Sequence, residues 1–151
     1  MKKLIELLDT LNFNQIVIFV RNSQRAKELS RLLNSDNFNN ICITGDMRTE
    51  TRLENFKKFK NFEVLILIST QLFGRGIDVE RVNVVINYDF PEKADEYLHR
   101  VGRAGRFGTK GLAISFISTA EDAKIMEQVQ LKFAVDVPSL PDKIDTSLYM
   151  N

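Results

Sequence analysis

The chain has 151 residues, of which 44% are hydrophobic and 27% are charged, and its formal net charge at pH 7 is +1. This length and this composition are typical of one compact globular domain. The small net charge excludes nucleic-acid binding through a general excess of positive charge, so such binding would need a local basic patch. Cys42 is the only cysteine, which excludes an internal disulfide. No apolar run approaches the roughly 18–20 residues that cross a bilayer, so no membrane partner is expected.

Short apolar runs rich in Ile, Val and Phe recur along the chain and predict β-strands. Because these runs are continuously apolar, they are typical of strands covered on both faces, as in parallel sheets. The predicted strands are Gln15–Val20, Asn40–Ile43, Val64–Ser69, Val84–Asn87 and Leu112–Ile117.

Between these runs, apolar residues recur at helical spacing and predict amphipathic helices. The apolar stripes are Leu4, Leu8 and Leu11; Ala26, Leu29, Leu32 and Leu33; Leu53, Phe56 and Phe59; and Ile125, Met126 and Val129. Ser118 and Glu121 have the spacing of a capping box, which predicts the start of the last helix. Strands that alternate with helices predict right-handed crossovers. We therefore expect a three-layer α/β domain with a mainly parallel sheet of five or six strands between helices.

The last residues differ in composition from the rest of the chain. Pro138 and Pro141 should keep this segment out of a helix, because proline lacks the backbone N–H that a helix needs. We expect residues 1–135 to form the domain and residues 136–151 to form an extended tail on its surface or leading away from it. The chain also begins inside a helical pattern, so we expect it to be part of a longer protein.

The segment His99–Gly108 reads HRVGRAGRFG and places Arg100, Arg103 and Arg106 among three glycines. Arginine binds phosphate or carboxylate through a planar fork and stays charged at any relevant pH. The glycines leave room for a ligand or another backbone to approach closely. Since residues 97–111 include no Asp or Glu, the partner anion must come from elsewhere. A phosphate or the carboxylates of another domain would satisfy this patch.

Two other interpretations of this segment are open. The arginines could form a solvated basic turn held by surface salt bridges, although the glycines and the absence of nearby acids disfavour this. Gly102, Gly105 and Gly108 could belong to a dinucleotide-binding loop. Their spacing is GxxGxxG instead of GxGxxG, and no predicted strand leads directly into them.

HRVGRAGR resembles motif VI of the DEAD-box RNA helicases, H-R-x-G-R-x-G-R, at every fixed position. STQLFGRGID resembles their motif V, VIFV resembles the strand of motif IV, and the order and separations also agree. Residues 1–135 therefore resemble the C-terminal RecA-like domain of such an enzyme. LFGRGIDVERVN and AGRFGTKGLAISF are similar to the branch of the family that acts in splicing and mRNA export, which includes a subunit of the TREX complex.

The resemblance implies a catalytic set made up of His99, Arg100, Arg103 and Arg106. Arg103 and Arg106 match the arginine fingers that reach the γ-phosphate of ATP. His99 and Arg100 match residues that couple these fingers to the acidic motif of the first domain. Asp78 matches the residue that accepts a hydrogen bond from the ATP ribose, and Gly76 belongs to the same ATP-binding set. A turn or helix cap is an alternative role for Asp78.

The resemblance also implies RNA contacts that ignore base identity. The implied residues are Thr70, Gly74, Arg75, Arg52, Arg21 and Asn22. Thr70 would hydrogen-bond an RNA phosphate, and Gly74 and Gly76 would let main-chain N–H groups approach the RNA backbone. Arg75 could instead tie two domains together, and Arg52 could simply lie on a solvated helix face.

The implied function is the C-terminal motor half of an ATP-dependent RNA helicase that unwinds RNA or remodels RNA–protein complexes. The implied partners are RNA, the N-terminal RecA-like domain of the same chain, and splicing or mRNA export proteins, in the nucleus and also in the cytoplasm. The cofactor is ATP with Mg²⁺ held by that N-terminal domain, and no metal ligand is predicted here. No P-loop and no D-E-A-D tetrad occur in these 151 residues, so this segment alone should not hydrolyse ATP.

Three positions depart from the family pattern. Gln71 stands where most members have Asp, Thr49 replaces a common Gln, and Thr44 replaces a frequent His. These changes put interdomain hydrogen bonds in doubt, but not the phosphate chemistry of the arginines. Two alternative functions are open. The chain could be a non-catalytic docking module for export or splicing factors, or the motor half of another superfamily 2 translocase. A Rossmann or flavodoxin-like domain ranks last, because no glycine-rich first turn is present.

Overall fold

The structure is a computed structural model that describes residues 2–70, 81–101, 111–134, 136–141 and 143–150. Within these residues the helices are α1 (Lys2–Thr10), α2 (Ser23–Ser35), α3 (Thr49–Lys60), α4 (Ala94–Val101), α5 (Ala120–Phe133) and a 3₁₀ turn at Thr146–Leu148. The strands are β1 (Gln15–Val20), β2 (Ile41–Ile43), β3 (Ile66–Thr70), β4 (Val82–Asn87) and β5 (Leu112–Ser115). No helix among the described residues is long and apolar enough to cross a membrane.

The strands form one five-stranded sheet in the order β2-β3-β1-β4-β5, and every described pairing is parallel. This confirms the predicted mainly parallel sheet. A parallel neighbour requires a crossover, and α2, α3 and α4 each lie between two successive strands along the chain. The central strands β1 and β4 are buried along their whole length, as their continuous apolar runs predicted.

Helices cover both faces of the sheet, which confirms the three-layer architecture. Ile16, Ile18 and Val20 of β1 pack in one core cluster with apolar residues of α1 and α2. Val17 and Phe19 point to the opposite face, where they share a second cluster with apolar residues of α3. Successive side chains of a strand alternate between faces, so a wholly apolar strand serves both layers. A third cluster joins α4 to α5.

Leu53 lies outside the core, contrary to the predicted stripe on α3. It is 60% exposed, whereas Phe59 is fully buried and Phe56 packs partly against the second cluster. The helix turns Asn55 inward, and its side-chain Nδ2 donates a hydrogen bond to the Cys42 carbonyl at 2.7 Å. Leu53 precedes Asn55 by two positions, about 200° around the helix, and therefore faces solvent.

The start of α5 lies one residue later than predicted. Thr119, not Ser118, is the N-cap, and its Oγ1 accepts a hydrogen bond from the Asp122 backbone N–H at 3.0 Å. The Asp122 carboxylate accepts from the Ser118 backbone N–H at 3.1 Å. STAED therefore contains two overlapping capping patterns, one starting at Ser118 and one at Thr119. Asp122, and not Glu121, supplies the carboxylate that accepts from the Ser118 backbone N–H.

The C-terminal segment returns to the domain after its prolines. Residues 136–141 form no helix, as the prolines predicted. Beyond them the chain forms the 3₁₀ turn, and Tyr149 is only 1% exposed and belongs to the core cluster that contains α1. The end of the chain therefore contributes to the core, and the boundary at residues 135 and 136 stays a prediction.

Shortening Tyr149 should reveal how much this segment stabilises the fold. Tyr149→Ala empties a buried aromatic site and should lower the free energy of unfolding by about 3–5 kcal/mol. Tyr149→Phe should change it by less than about 1 kcal/mol, because the Tyr149 hydroxyl has no hydrogen-bond partner among the described residues. Urea denaturation of the two variants checks this. A Tyr149→Ala protein as stable as the parent would contradict the packing.

Candidate functional site at the carboxyl edge of the sheet

The neighbouring strands β1 and β4 end side by side, and their following helices leave toward opposite faces. Helix α2 follows β1 and packs in the cluster with α1. Helix α4 follows β4 and brings Arg100 over the ring of Phe19, which points to the other face. Open parallel sheets bind their ligands in the crevice beyond such a pair of strand ends. The fold therefore predicts a site beyond Val20 and Asn87.

Asp89 is the central anion at this edge. It is buried two residues after β4, and its Oδ2 accepts from the Arg21 backbone N–H at 2.7 Å. The Arg25 guanidinium contacts both carboxylate oxygens, with Nε to Oδ2 at 2.7 Å and Nη2 to Oδ1 at 2.6 Å. This paired hydrogen bond raises the pKa of Arg25, and partial burial opposes it. Asp89 thus ties the end of β4 to the start of α2.

Arg100 is the central cation, and it points into the domain. It is 3% exposed, and its Nη1 donates to the Asp89 backbone carbonyl at 2.7 Å and to Asn87 Oδ1 at 3.3 Å. The guanidinium carbon lies 5.2 Å from the centre of the Phe19 ring. Burial lowers the pKa of Arg100 to about 10, with nearby carboxylates opposing the shift. The side chain is therefore charged at neutral pH, and it fixes the last described turn of α4 to the ends of β1 and β4.

Asn87 links this cation to the neighbouring strand. Its Oδ1 accepts from Arg100, while its Nδ2 donates to Ser115 Oγ at 2.9 Å. The two residues are partners in the β4–β5 register. Because Asn87 is fully buried, the amide has a single orientation that satisfies both contacts.

Three of the predicted RNA-binding residues lie at this edge. Thr70 ends β3 and is buried, and its Oγ1 has no hydrogen-bond partner among the described residues. Arg21 follows β1, and its side chain is 63% exposed. Asn22 caps α2, with its Oδ1 accepting from the Arg25 backbone N–H at 2.9 Å. The capping role uses the Asn22 side-chain oxygen. The Arg21 side chain, in contrast, extends toward solvent.

Arg52 lies apart from this group, in the first turn of α3. It is half-buried, and its Nη2 donates to Thr49 Oγ1 at 3.2 Å. The substituted position Thr49 therefore supports the Arg52 side chain within this domain. The other described substitution, Thr44, is buried at the end of β2 and donates its hydroxyl to Asp46 Oδ1 at 2.6 Å.

The remaining predicted site residues lie outside the described residues, and their roles stay predictions. They are the His99 side chain, Gly74, Arg75, Gly76, Asp78, Arg103 and Arg106, together with the substituted Gln71. The described part of α4 runs to Val101, two residues before Arg103. Arg100 was expected to couple to another domain, and this role stays a prediction. The contacts above hold its Nη1 inside its own domain.

Arg25, Asn87, Asp89 and Ser115 were not among the site residues predicted from the sequence. A signal was available: Asn87 and Asp89 are polar residues at the end of an apolar run, where a parallel sheet carries its site. Ser115 and Arg25 gave no such signal, because their partners lie 28 and 64 positions away. Among the described residues, no group of three or more His, Cys, Asp or Glu lies close enough to hold a metal ion. The Mg²⁺ expected on the other domain stays a prediction.

Comparison with known proteins places this geometry in a family. Residues 1–108 match the family model of the helicase conserved C-terminal domain. The solved C-terminal domain of the DEAD-box protein Dbp5 superposes with a TM-score of 0.82 and 32% identity, over 89% of this chain and 79% of that one. The chain is a DEAD-box helicase C-terminal domain.

Two longer relatives extend the comparison. The ATP-dependent RNA helicase uap56 of Schizosaccharomyces pombe is 56% identical over 150 residues, which cover 99% of this chain and 35% of the relative. Dbp5 of S. cerevisiae, solved with RNA and ADP BeF3, has a TM-score of 0.82 and 33% identity, over 87% of this chain and 35% of that one. This helicase domain thus spans about a third of the length of these relatives.

Removing the Asp89 carboxylate should destabilise the helicase domain. Asp89→Ala leaves the Arg25 guanidinium and the Arg21 backbone N–H without their acceptor and should lower the free energy of unfolding by about 2–3 kcal/mol. This loss is smaller than the loss expected for a fully buried ion pair, because Arg25 is partly exposed. Asp89→Asn keeps one acceptor oxygen and should cost about 1–2 kcal/mol. Urea denaturation measures both, with the exposed Asp9→Ala as a control that should stay within about 0.5 kcal/mol. Equal stability of all three variants would contradict this network.

The pKa of Asp46 offers a second test of the strand ends. Hydrogen bonds from Lys27 Nζ and from the Thr44 hydroxyl lower it from 3.8 to about 2. A depressed carboxyl pKa stabilises the fold above the ordinary value, and this stabilisation is lost as the pH falls toward 2. Lys27→Ala should raise the pKa toward 3.8, and Thr44→Val should raise it less. Carbon-detected NMR titration of the Asp46 carboxyl measures this, and an unchanged pKa in Lys27→Ala would contradict the assignment.

Proposed function

We propose that this chain is the C-terminal motor half of an ATP-dependent RNA helicase, and that Arg103 and Arg106 are its arginine fingers. The observation that carries the proposal is the complete match of HRVGRAGR to H-R-x-G-R-x-G-R. This match lies in a chain that belongs to the DEAD-box family. The N-terminal domain would bind ATP, and Mg²⁺ held there would neutralise phosphate charge.

The position of α4 supports this role. The helix starts beyond β4, and its described part includes Arg100, which is buried and precedes Arg103 by three residues. A finger that closely follows a fixed residue in the chain loses less conformational entropy on meeting a phosphate than a finger on a free loop. Phosphoryl transfer spreads charge over the phosphate oxygens, and a guanidinium fork binds two such oxygens at once. The domain's own contribution to hydrolysis is therefore a positioned positive charge.

The RNA surface of the proposal lies at the neighbouring strand ends. Thr70 would offer its hydroxyl to a phosphate, and Arg21 would offer an exposed guanidinium. Gly74, Arg75, Arg52 and Asn22 complete the proposed set. Phosphate contacts of this kind fix the backbone without reading bases. Closure of two domains on ATP and RNA together would then bend one strand out of a duplex and release it after hydrolysis.

We place the enzyme in pre-mRNA splicing and mRNA export, acting on RNA–protein complexes in the nucleus and also in the cytoplasm. Two observations support this assignment: the sequences around the motifs resemble this branch, and the chain is 56% identical to uap56. The partners would be RNA and export or splicing proteins. Binding of RNA together with ADP BeF3 by Dbp5 supports the pairing of the two ligands.

Replacing the fingers in the whole protein tests the proposal. Arg103→Ala and Arg106→Ala should each lower RNA-stimulated ATP hydrolysis by about 10³-fold or more, because a finger contributes roughly 10³–10⁵ to the rate. The measurement is single-turnover hydrolysis with saturating RNA. Arg31→Ala, an exposed arginine on α2, is the matched control and should hydrolyse ATP at the parent rate.

Two outcomes would overturn the proposal. Finger variants that retain RNA-stimulated hydrolysis within a few-fold of the parent would favour a docking module. Stimulation of the parent protein by single-stranded DNA as strongly as by RNA would favour a DNA translocase of the same superfamily.

A further inference from the structure

We propose that Asn87 is a positioning residue for ATP hydrolysis: it holds Arg100, and through Arg100 it aims the arginine fingers that come next in the chain. This inference rests on the proposed function of Arg103 and Arg106. It adds a residue on β4 that touches neither nucleotide nor RNA and yet sets the rate of the chemical step.

The first support is the burial of the contact. Arg100 is 3% exposed, and Asn87 is fully buried. A charged side chain enters such a place only when polar groups and aromatic faces replace its water. Asn87 Oδ1 and the Asp89 carbonyl accept from the same Nη1 at 3.3 and 2.7 Å, and the Phe19 ring lies below at 5.2 Å. The guanidinium is therefore fixed in one orientation.

The second support is the position of Arg100 along α4. It lies in the last described turn of the helix, and Arg103 follows it by three residues. A rotation or shift of this turn displaces the chain that leads to Arg103 and Arg106. Misplacement of a catalytic group by about 1 Å can cost about 100-fold in rate. A contact that fixes this turn therefore controls the rate without touching the substrate.

The third support is that Asn87 itself is held from the other side. Its Nδ2 donates to Ser115 Oγ at 2.9 Å, on the paired strand β5. Its carbonyl oxygen therefore faces Arg100 and not the reverse, since the amide nitrogen could not accept from a guanidinium. Ser115, Asn87 and Arg100 form a chain from β5 through β4 to α4.

The test uses the whole protein and follows single-turnover hydrolysis with RNA. Asn87→Leu keeps the approximate shape of the side chain but loses the acceptor, and kcat should fall by about 10- to 100-fold. The KM for ATP and the Kd for RNA should stay within about threefold of the parent, because Asn87 is fully buried within the domain. Asn87→Asp keeps the acceptor for Arg100 and should restore kcat to within about threefold. Ser115→Ala, which loosens Asn87 from outside the core, should lower kcat mildly and gives a reading if Asn87→Leu does not fold.

Asn83→Leu is the matched control. Asn83 lies buried at the opposite end of the same strand, where Oδ1 accepts from the Asn14 N–H at 3.0 Å. Asn83→Leu removes a similar buried amide and should lower the free energy of unfolding by a similar amount. It leaves the contacts of α4 unchanged. Its kcat should equal that of the parent under conditions where the protein is folded. Equal losses of kcat in Asn83→Leu and Asn87→Leu would reduce the effect to general destabilisation and overturn the inference.

A double-mutant cycle separates the inference from the proposed function. In an Arg103→Ala/Arg106→Ala background, Asn87→Leu should cause no further loss, because no fingers remain to be aimed. A full additional loss in that background, or parent kcat in folded Asn87→Leu, would overturn the inference alone. Retained hydrolysis in the background variant itself would instead overturn the proposed function.

Discussion

The buried guanidinium of Arg100 is the interaction on which this site depends. It brings a full positive charge beneath α4, where the Asp89 carbonyl, the Asn87 amide oxygen and the Phe19 ring replace water. Breaking such a contact leaves the Arg100 guanidinium, the Asp89 carbonyl and the Asn87 amide oxygen without these partners, so the described end of α4 has one stable position. Arg103 follows this fixed position by three residues. A fixed residue so close in the chain would support the placement of the proposed fingers.

Much of the fold could be predicted because it follows from continuous apolar runs. β1 and β4 serve two layers at once, and strands of this kind are typical of parallel sheets covered by helices on both faces. The errors have local causes. Leu53 has the spacing of a core residue but lies opposite the inward-facing Asn55, and STAED carries two capping patterns of similar strength. Spacing alone cannot distinguish these alternatives, because packing against the sheet decides between them.

The site was only partly predictable. Motif resemblance identified the arginines, and Arg21 and Thr70 do lie at the carboxyl edge of the sheet. Resemblance did not reveal that Arg100 faces inward, because its partners are set by the register of β4 and the packing of α4. The same holds for Tyr149, which lies in the core because the chain returns to the domain after its prolines. The two prolines had predicted an extended tail instead. Contacts between residues distant in sequence need the fold before they can be named.

The most direct measurement is a crystal structure of the whole protein with RNA and ADP–beryllium fluoride. If Arg103 and Arg106 are arginine fingers, their guanidinium groups should lie at hydrogen-bond distance, about 2.7–3.2 Å, from the fluorides. Arg100 should still contact Asn87 and the Asp89 carbonyl in that state. Fingers paired with carboxylates of their own domain and pointing away from the nucleotide would contradict the mechanism.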